Sequence, residues 1–242
     1  VEQDFSKYKL LVAPLLFLTK PELTEKLEKY AAGGGHLILT MRTGVKDWNN
    51  TVIPKVLPGD LSSLAGIKIP EYDCLRDIVQ GVRWTASELY EKVEQVSKWA
   101  DIITLDGAET LACYTEDYYK GTPAITQNAY KQGAAYFVAT ELGPGVMKEF
   151  VSYAVKRVNI KPIVKTPEGV EATRRKGNDG DYIFILNHNS GPVAFNIPAG
   201  WKAVTGQSFI KGNKLNLSQY AAAVFKSDLI KKEELLKSIP AS

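Results

Sequence analysis

The sequence predicts an α/β, doubly wound domain over residues 1–160, followed by a small antiparallel β-domain over residues 161–226 and a charged tail over residues 227–242. The first domain is predicted from a strand, a helix, a glycine stop and a second strand that follow one another near the start of the chain. The second domain is predicted from a change after Lys161, where apolar and polar residues begin to alternate between recurring turn signals.

The opening strand–helix–strand unit is predicted from four consecutive signals. The apolar run Tyr8–Pro14 is typical of a strand that is buried on both faces of a parallel sheet. The Thr-x-x-Glu pattern at Thr19–Glu22 matches a helix capping box. Glycines at Gly33–Gly35 end the helix, and the run His36–Met41 supplies the next strand. Together these signals predict a right-handed βαβ crossover.

The remainder of the first domain is predicted as connections, short strands and one more helix. Residues 42–76 are rich in Gly, Pro, Asn and Asp and are predicted as long connections, which usually serve a site or an interface. Residues 86–98 fit a helix weakly, and residues 143–159 fit one well. Strands are predicted at residues 77–84, 99–105, 108–114, 123–127 and 134–140.

The second domain is predicted to be built from strands of alternating character. The segment Asn178–Gly180 is expected to form the hairpin turn between the first two of them. The predicted strands are residues 169–175, 181–187, 193–197, 202–205, 214–217 and 221–225.

Composition and charge bound the function classes. Lys and Arg number 30 against 27 Asp and Glu, a net charge of +3, so the chain lacks the positive field that nucleic-acid binding needs. It contains no apolar run of about 18 residues and no signal-peptide core, so we expect no membrane partner. Cys74 and Cys113 lack metal-ligand spacing and are expected to be free, buried thiols in a reducing compartment, which predicts a cytoplasmic protein.

Three blocks of sequence resemble one enzyme family, in the right order along the chain. "YKLLVAP" and "AAGGGHLILTMRTG" resemble the opening of the middle domain of family 42 glycoside hydrolases, which are β-galactosidases. "WADIITLDGAETLACYTEDYYKGTPAITQNAYKQGAAYFVATEL" resembles the later part of that domain. "GVEATRRKGNDGDYIFILNHNSGPVAFNIP" resembles the family's C-terminal β-domain, with its Leu-Asn-His strand end at Leu186–His188.

The resemblance implies an assembly role without catalysis. It implies a flavodoxin-like middle domain related to class I glutamine amidotransferases, used by the family to form trimers, and here starting after the family's first βα unit. The family's catalytic carboxylates lie on a preceding (β/α)₈ barrel of about 250 residues, for which this chain has no room. The parent would hydrolyse terminal β-D-galactosides with retention, and the partners implied are further copies of the chain and the parent's barrel. The alternative is a free-standing amidotransferase-like enzyme or small-ligand binder unrelated to sugars.

No catalytic, cofactor or metal residue is predicted. The two cysteines lack the glycine flanks of a nucleophile elbow, and His36 and His188 have no nearby carboxylate–nucleophile pair. A solvated surface or a subunit contact accounts for the acidic residues Asp106, Glu109, Glu116 and Asp117.

One interface is predicted. Arg42 and Trp48 lie in the long connection after the second strand, and exposed Arg and Trp side chains favour contacts between proteins. We therefore expect this loop to take part in self-association.

Overall fold

The computed structural model describes residues 3–76, 78, 80–85, 93–177, 179–206 and 209–227. The chain forms two compact units, Val1–Ile160 and Lys161–Ser242. The helices and strands of the first unit are β1 (Leu10–Ala13), β2 (Leu18–Thr19), α1 (Pro21–Ala32), β3 (His36–Thr40), β4 (Lys46–Asp47), α2 (Ser62–Ala65), β5 (Ile67–Asp73), β6 (Gln80–Trp84), β7 (Val93–Leu105), β8 (Glu109–Tyr114), β9 (Pro123–Tyr130), β10 (Gly133–Val138), β11 (Thr140–Glu141) and α3 (Pro144–Arg157).

The first unit is organised around a mixed nine-stranded sheet. Its order is β1-β3-β10-β9-β8-β6-β7-β11, and β5 pairs with β7. Only β1, β3 and β10 run parallel to one another, whereas the remaining pairs of this sheet are antiparallel. The expectation of a parallel sheet therefore holds for three strands alone. The turn between β9 and β10 is too short for the crossover that parallel pairing requires.

Helices cover the two faces of the parallel part. The ring of Tyr136 on β10 contacts Phe150 and Tyr153 of α3. Gly133, three residues earlier on β10, lies against the carbonyl of Ala31 at the end of α1. Positions three apart on a strand point to opposite faces, so α1 and α3 pack on opposite sides of β10.

Helix α1 starts differently from the prediction. It begins at Pro21, and its N-cap Lys20 makes no side-chain capping bond, so the capping box predicted at Thr19–Glu22 is wrong. Thr19 instead belongs to β2, which pairs with β4, and it is buried there. The helix ends as expected, because Gly34 adopts the left-handed φ of +98°.

Strand β1 is an edge strand and is not buried on both faces as predicted. Within the described residues it pairs with β3 alone. Its four residues are half-buried or exposed, and Val12 is 53% exposed.

Two other predictions about the first unit are corrected. The connections predicted at residues 42–76 contain α2 and β5, which the pattern missed because Pro70 interrupts the alternation where the β5–β7 register shifts. The helix predicted at residues 86–98 is wrong for residues 93–98, which are the start of β7 and pair with β6. Residues 86–92 lie outside the described part of the chain.

The second unit is antiparallel throughout its described strands. These are β12 (Val170–Gly177), β13 (Gly180–Asn187), β14 (Val193–Asn196), β15 (Trp201–Thr205), β16 (Ile210–Lys211), β17 (Lys214–Leu217) and β18 (Ala222–Ser227). One sheet has the order β12-β13-β18-β15 and the other β14-β17-β16. The strictly alternating burial of β13 places Ile183 and Ile185 in a core with Leu215 and Phe225. The predicted turn residue Asn178 lies outside the described residues, although Gly177 pairs with Gly180 on either side of it.

Candidate interaction site at the carboxyl ends of the parallel strands

The carboxyl ends of β1, β3 and β10 meet at one edge of the first unit, and Arg42 lies there. The backbone N–H of Met41 donates to the carbonyl of Val138 over 2.7 Å, and that of Leu15 donates to the hydroxyl of Thr40 over 2.7 Å. Arg42 follows with a left-handed φ of 61°. This edge is where open α/β sheets bind their ligands.

Aromatic rings surround the Arg42 side chain. Its guanidinium carbon lies 5.1 Å from the ring centre of Phe17 and 4.8 Å from that of Trp99. The ring of Tyr72 is stacked on Trp99, with centroids 4.6 Å apart and an interplanar angle of 18°. We call Phe17, Arg42, Tyr72, Trp99 and the adjacent Asp101 the strand-end cluster.

Asp101 anchors the strand-end cluster from below. It is 1% exposed, and each of its oxygens accepts one N–H group. The indole Nε1 of Trp99 donates to Oδ1 over 2.8 Å, and the backbone N–H of Arg42 donates to Oδ2 over 3.3 Å. Burial raises the pKa of Asp101 to about 6, although these donors and the Arg42 charge oppose the shift. The carboxylate therefore fixes the loop that carries Arg42.

The strand-end cluster is suited to binding. Both oxygens of Asp101 are engaged, and the cluster contains no Ser, Cys or His that could act as a nucleophile or a base. The Arg42 guanidinium is exposed, and it has no hydrogen-bond or ion-pair partner among the residues that the structure describes. A guanidinium held against two rings presents its donors to a carboxylate with little loss of side-chain entropy.

Trp48 lies at the tip of a rigid turn next to the strand-end cluster. The carboxylate of Asp47 accepts the backbone N–H groups of Asn49 and Thr51, each over 2.9 Å. The Lys46 ammonium donates to the side-chain oxygen of Asn50 over 2.9 Å. Trp48 is 63% exposed, and Lys20 Nζ lies 5.4 Å from its ring centre.

The sequence singled out Arg42, whose interface role stays a prediction, but it did not indicate the residues that contact Arg42. Trp99 and Asp101 are two apart on β7 and so share one face, which the alternation of the strand could have shown. The position of this face is set by a contact between distant residues. The Asp101 N–H donates to the carbonyl of Ala139, and this bond brings β7 next to the end of β3.

The cysteines are free, but they are not both buried as expected. Cys74 is exposed and Cys113 is half-buried. Burial raises the pKa of the Cys113 thiol, although the charge of Arg83 opposes this. A thiol with a raised pKa holds less thiolate, which is the nucleophilic form.

The histidines make local contacts in separate units. His36 Nδ1 lies 3.0 Å from the Tyr136 hydroxyl, and burial lowers its pKa, with a further contribution from the charge of Arg157. His188 Nε2 lies 3.1 Å from a carboxylate oxygen of Glu171 on the surface of the second unit.

Glu109 lies too far from Glu116 and Asp117 to form a pair with glycosidase geometry. Glu109 begins β8, and Glu116 and Asp117 follow its end, so about 17 Å of strand separates them. Paired glycosidase carboxylates lie about 5–9.5 Å apart. Asp106 forms an ion pair with Lys68 over 2.9 Å.

Two features are absent from the described residues. These residues include no group of three or more His, Cys, Asp and Glu side chains placed to hold a metal ion. None of their helices is long and apolar enough to cross a bilayer.

Comparison with known families decides the affiliation. The family model described as "Beta-galactosidase trimerisation domain" matches residues 1–161, and that described as "Beta-galactosidase C-terminal domain" matches residues 169–227. The chain belongs to the family 42 β-galactosidases. It matches their non-catalytic trimerisation and C-terminal domains, and their catalytic barrel is absent from it.

Individual relatives agree with this assignment. The β-galactosidase BgaA of Clostridium cellulovorans is 29% identical over 92% of this chain and 33% of its own length. The β-galactosidase Pbg of Clostridium perfringens is 34% identical over 77% of this chain and 28% of its own length. The crystal structure of β-galactosidase from Bacillus circulans sp. alkalophilus superimposes with a TM-score of 0.85 at 28% identity, over 93% of this chain and 34% of that one. The chain thus spans about a third of the length of these relatives.

Proposed function

We propose that this chain is the assembly part of a β-galactosidase that hydrolyses terminal β-D-galactosides with retention, and that its own share is self-association into trimers. The observation that carries the proposal is the match of residues 1–161 to a trimerisation domain. The implied partners are two further copies of the chain and the catalytic barrel of the parent enzyme. We further propose that residues 1–160 form an amidotransferase-like fold without amidotransferase chemistry, which the βαβ unit and the helices on both faces support.

Arg42 and Trp48 are proposed as interface residues. Both are exposed, the Arg42 guanidinium is held against aromatic rings, and hydrogen bonds to Asp47 fix the backbone of the Trp48 turn, which lowers the entropy that association costs. Among the described strands none pairs with the outer edge of β1, which supports the same view, because an exposed strand edge with apolar side chains is a liability unless another segment or another copy covers it.

Sedimentation velocity of the purified chain over a wide concentration range tests the proposal. We expect the weight-average sedimentation coefficient to rise with concentration toward that of a trimer. Trp48→Ala is expected to weaken association without changing the thermal midpoint, since Trp48 is 63% exposed. A strict monomer at the highest concentration would count against the assembly role.

The alternative, an amidotransferase-like enzyme or small-ligand binder, is tested by the coding DNA upstream of Val1. A reading frame that encodes a barrel supports the β-galactosidase, whereas a start codon at this position supports the alternative. In the described residues, the exposed Cys74 and the half-buried Cys113 lie outside the strand-end cluster, so no feature of that edge favours amidotransferase chemistry.

A further inference from the structure

The symmetry of a trimer constrains which surfaces can meet, and this inference rests on the proposed self-association. Three copies related by a threefold axis contact one another head to tail, so each interface joins two different surfaces of the same chain. A trimer-forming chain must therefore carry two complementary surfaces, and both should be present in the first unit.

The first of these surfaces is basic and aromatic. It consists of Lys20, Arg42, Lys46 and Trp48, which we call the basic surface. The parallel pairing of β2 with β4 brings Lys20 and Trp48 together, because they follow the paired residues Thr19 and Asp47. The guanidinium carbon of Arg42 lies 5.1 Å from the centre of the Phe17 ring, and Nζ of Lys46 lies 5.8 Å from the same centre. The nearby carboxylates of Asp47 and Asp101 already accept N–H groups of the chain itself.

The second surface is acidic and tyrosine-rich. It consists of Glu71, Asp73, Glu116 and Asp117, which we call the acidic surface. The hydroxyl of Tyr118 donates to Glu71, and that of Tyr119 donates to Asp73 over 3.1 Å. None of the four carboxylates is ion-paired to a basic side chain within the described residues, although Lys120 lies in the same turn. The hydrogen bond to Glu71 raises the pKa of Tyr118 to about 12, and the negative charge of Asp73 adds to the shift.

The two surfaces point in different directions. On β5, Tyr72 lies between Glu71 and Asp73, and the three residues pair regularly with β7. Side chains alternate along a strand, so Glu71 and Asp73 point away from the face on which Tyr72 stacks on Trp99. The basic surface borders the Tyr72 face and the acidic surface lies on the opposite one. The basic and acidic surfaces of a single copy therefore cannot contact each other, whereas those of neighbouring copies in a ring can.

We propose that the basic surface of one copy binds the acidic surface of the next copy, head to tail, around the trimer. The unpaired Arg42 guanidinium meets the carboxylates of Glu71 and Asp73, and Trp48 packs against the exposed ring of Tyr118. Tyr118 is 69% exposed and Trp48 is 63% exposed, so both rings are available to a partner.

Two variants separate the surfaces without disturbing the fold. Lys20→Glu with Arg42→Asn alters the basic surface. We expect the fold to be kept, because Glu suits a helix N-terminus and Asn tolerates the left-handed φ of Arg42. Glu71→Lys with Asp117→Asn alters the acidic surface. The backbone is expected to be kept, because Asn likewise tolerates the φ of 67° at Asp117. Lys211→Glu with Lys214→Asn, on the exposed β16–β17 hairpin, is the control with the same change in net charge as the basic-surface variant.

Sedimentation velocity of the full chain, with circular dichroism to check each fold, measures the outcome. Each surface variant alone should associate at least about tenfold more weakly than the wild type, and the control should associate normally. An equimolar mixture of the two surface variants should form mixed dimers, because one retains an intact acidic surface and the other an intact basic surface. Wild-type association should also weaken with added NaCl, which needs no variant.

The failures are distinguishable. A monomeric wild-type chain would overturn the proposed function and this inference with it. Wild-type self-association that is insensitive to salt, or that is left unchanged by either surface variant, would overturn the head-to-tail pairing alone. A mixture that associates no better than its components would do the same.

Discussion

Trp99 donates its indole N–H to the carboxylate of Asp101, two residues further along the same strand, over 2.8 Å. The bond ties a half-buried ring that supports Arg42 to a fully buried charge that also accepts the Arg42 backbone N–H. The orientation of the Arg42 loop therefore depends on one carboxylate.

The first prediction concerns pH. The folded-state pKa of Asp101 is raised to about 6 from an ordinary 3.8, so the folded chain holds this proton more tightly than the unfolded chain. Above about pH 6 Asp101 is charged in the fold, and the full cost of burying that charge reduces the free energy of unfolding. This cost decreases as the pH falls and is absent below about pH 3.8. Urea unfolding should show that the free energy of unfolding falls by about 1 kcal/mol from pH 5 to pH 7.5 because of Asp101.

Asp101→Asn is the reference for this measurement, because it removes the titration while other groups, such as His36, keep theirs. The difference between wild type and variant isolates Asp101. Identical pH slopes in the two proteins would show that this carboxylate does not titrate near pH 6.

The second prediction removes the donor. Trp99→Phe leaves Asp101 Oδ1 without its indole partner, so we expect the free energy of unfolding to fall by about 1–3 kcal/mol. The pKa of Asp101, followed by carboxyl NMR, should rise further. Trp201→Phe is the matched control, since the Trp201 indole N–H has no partner among the described residues and its loss removes no hydrogen bond. Equal losses in the two variants would contradict the prediction.

Local signals in the sequence were sufficient for parts of the fold. The strand, helix and glycine stop ending at Gly34 depend on residues that are near one another in the chain, and the βαβ unit was predicted from them. The order of the remaining strands depends on pairings between distant residues, such as β7 with β11 and β5, which a single sequence does not reveal.

The same distinction applies to the candidate site. Arg42 and Trp48 were predicted because their residue types favour interfaces. The contacts that hold Arg42 come from Trp99 and Asp101, nearly sixty positions later, and no local pattern relates them. The capping box at Thr19 failed for a related reason, because the tertiary pairing of β2 with β4 took Thr19 out of the helix start.

The third prediction concerns the close approach of α1 to β10. A Cβ at Gly133 would overlap the carbonyl oxygens of Gly35 and Ala31, both of which are backbone atoms that cannot move aside cheaply. Gly133→Ala should therefore lower the free energy of unfolding of the first unit by about 3 kcal/mol. Gly191→Ala, where nothing lies within 4 Å, should change the stability of its unit by less than about 0.5 kcal/mol. A neutral Gly133→Ala would mean that α1 packs less closely on β10.

The last prediction is that the purified chain does not hydrolyse a chromogenic β-galactoside. Retaining hydrolysis needs two carboxylates about 5 Å apart on either side of the sugar. Among the acidic residues singled out from the sequence, Glu109 and Glu116 lie at opposite ends of β8, and Asp106 is ion-paired to Lys68. Assays should give the same rate for the wild type, Glu109→Gln and Glu116→Gln, indistinguishable from buffer. Turnover that survives further purification and disappears in either variant would locate catalysis in this chain and overturn its assignment as an assembly part.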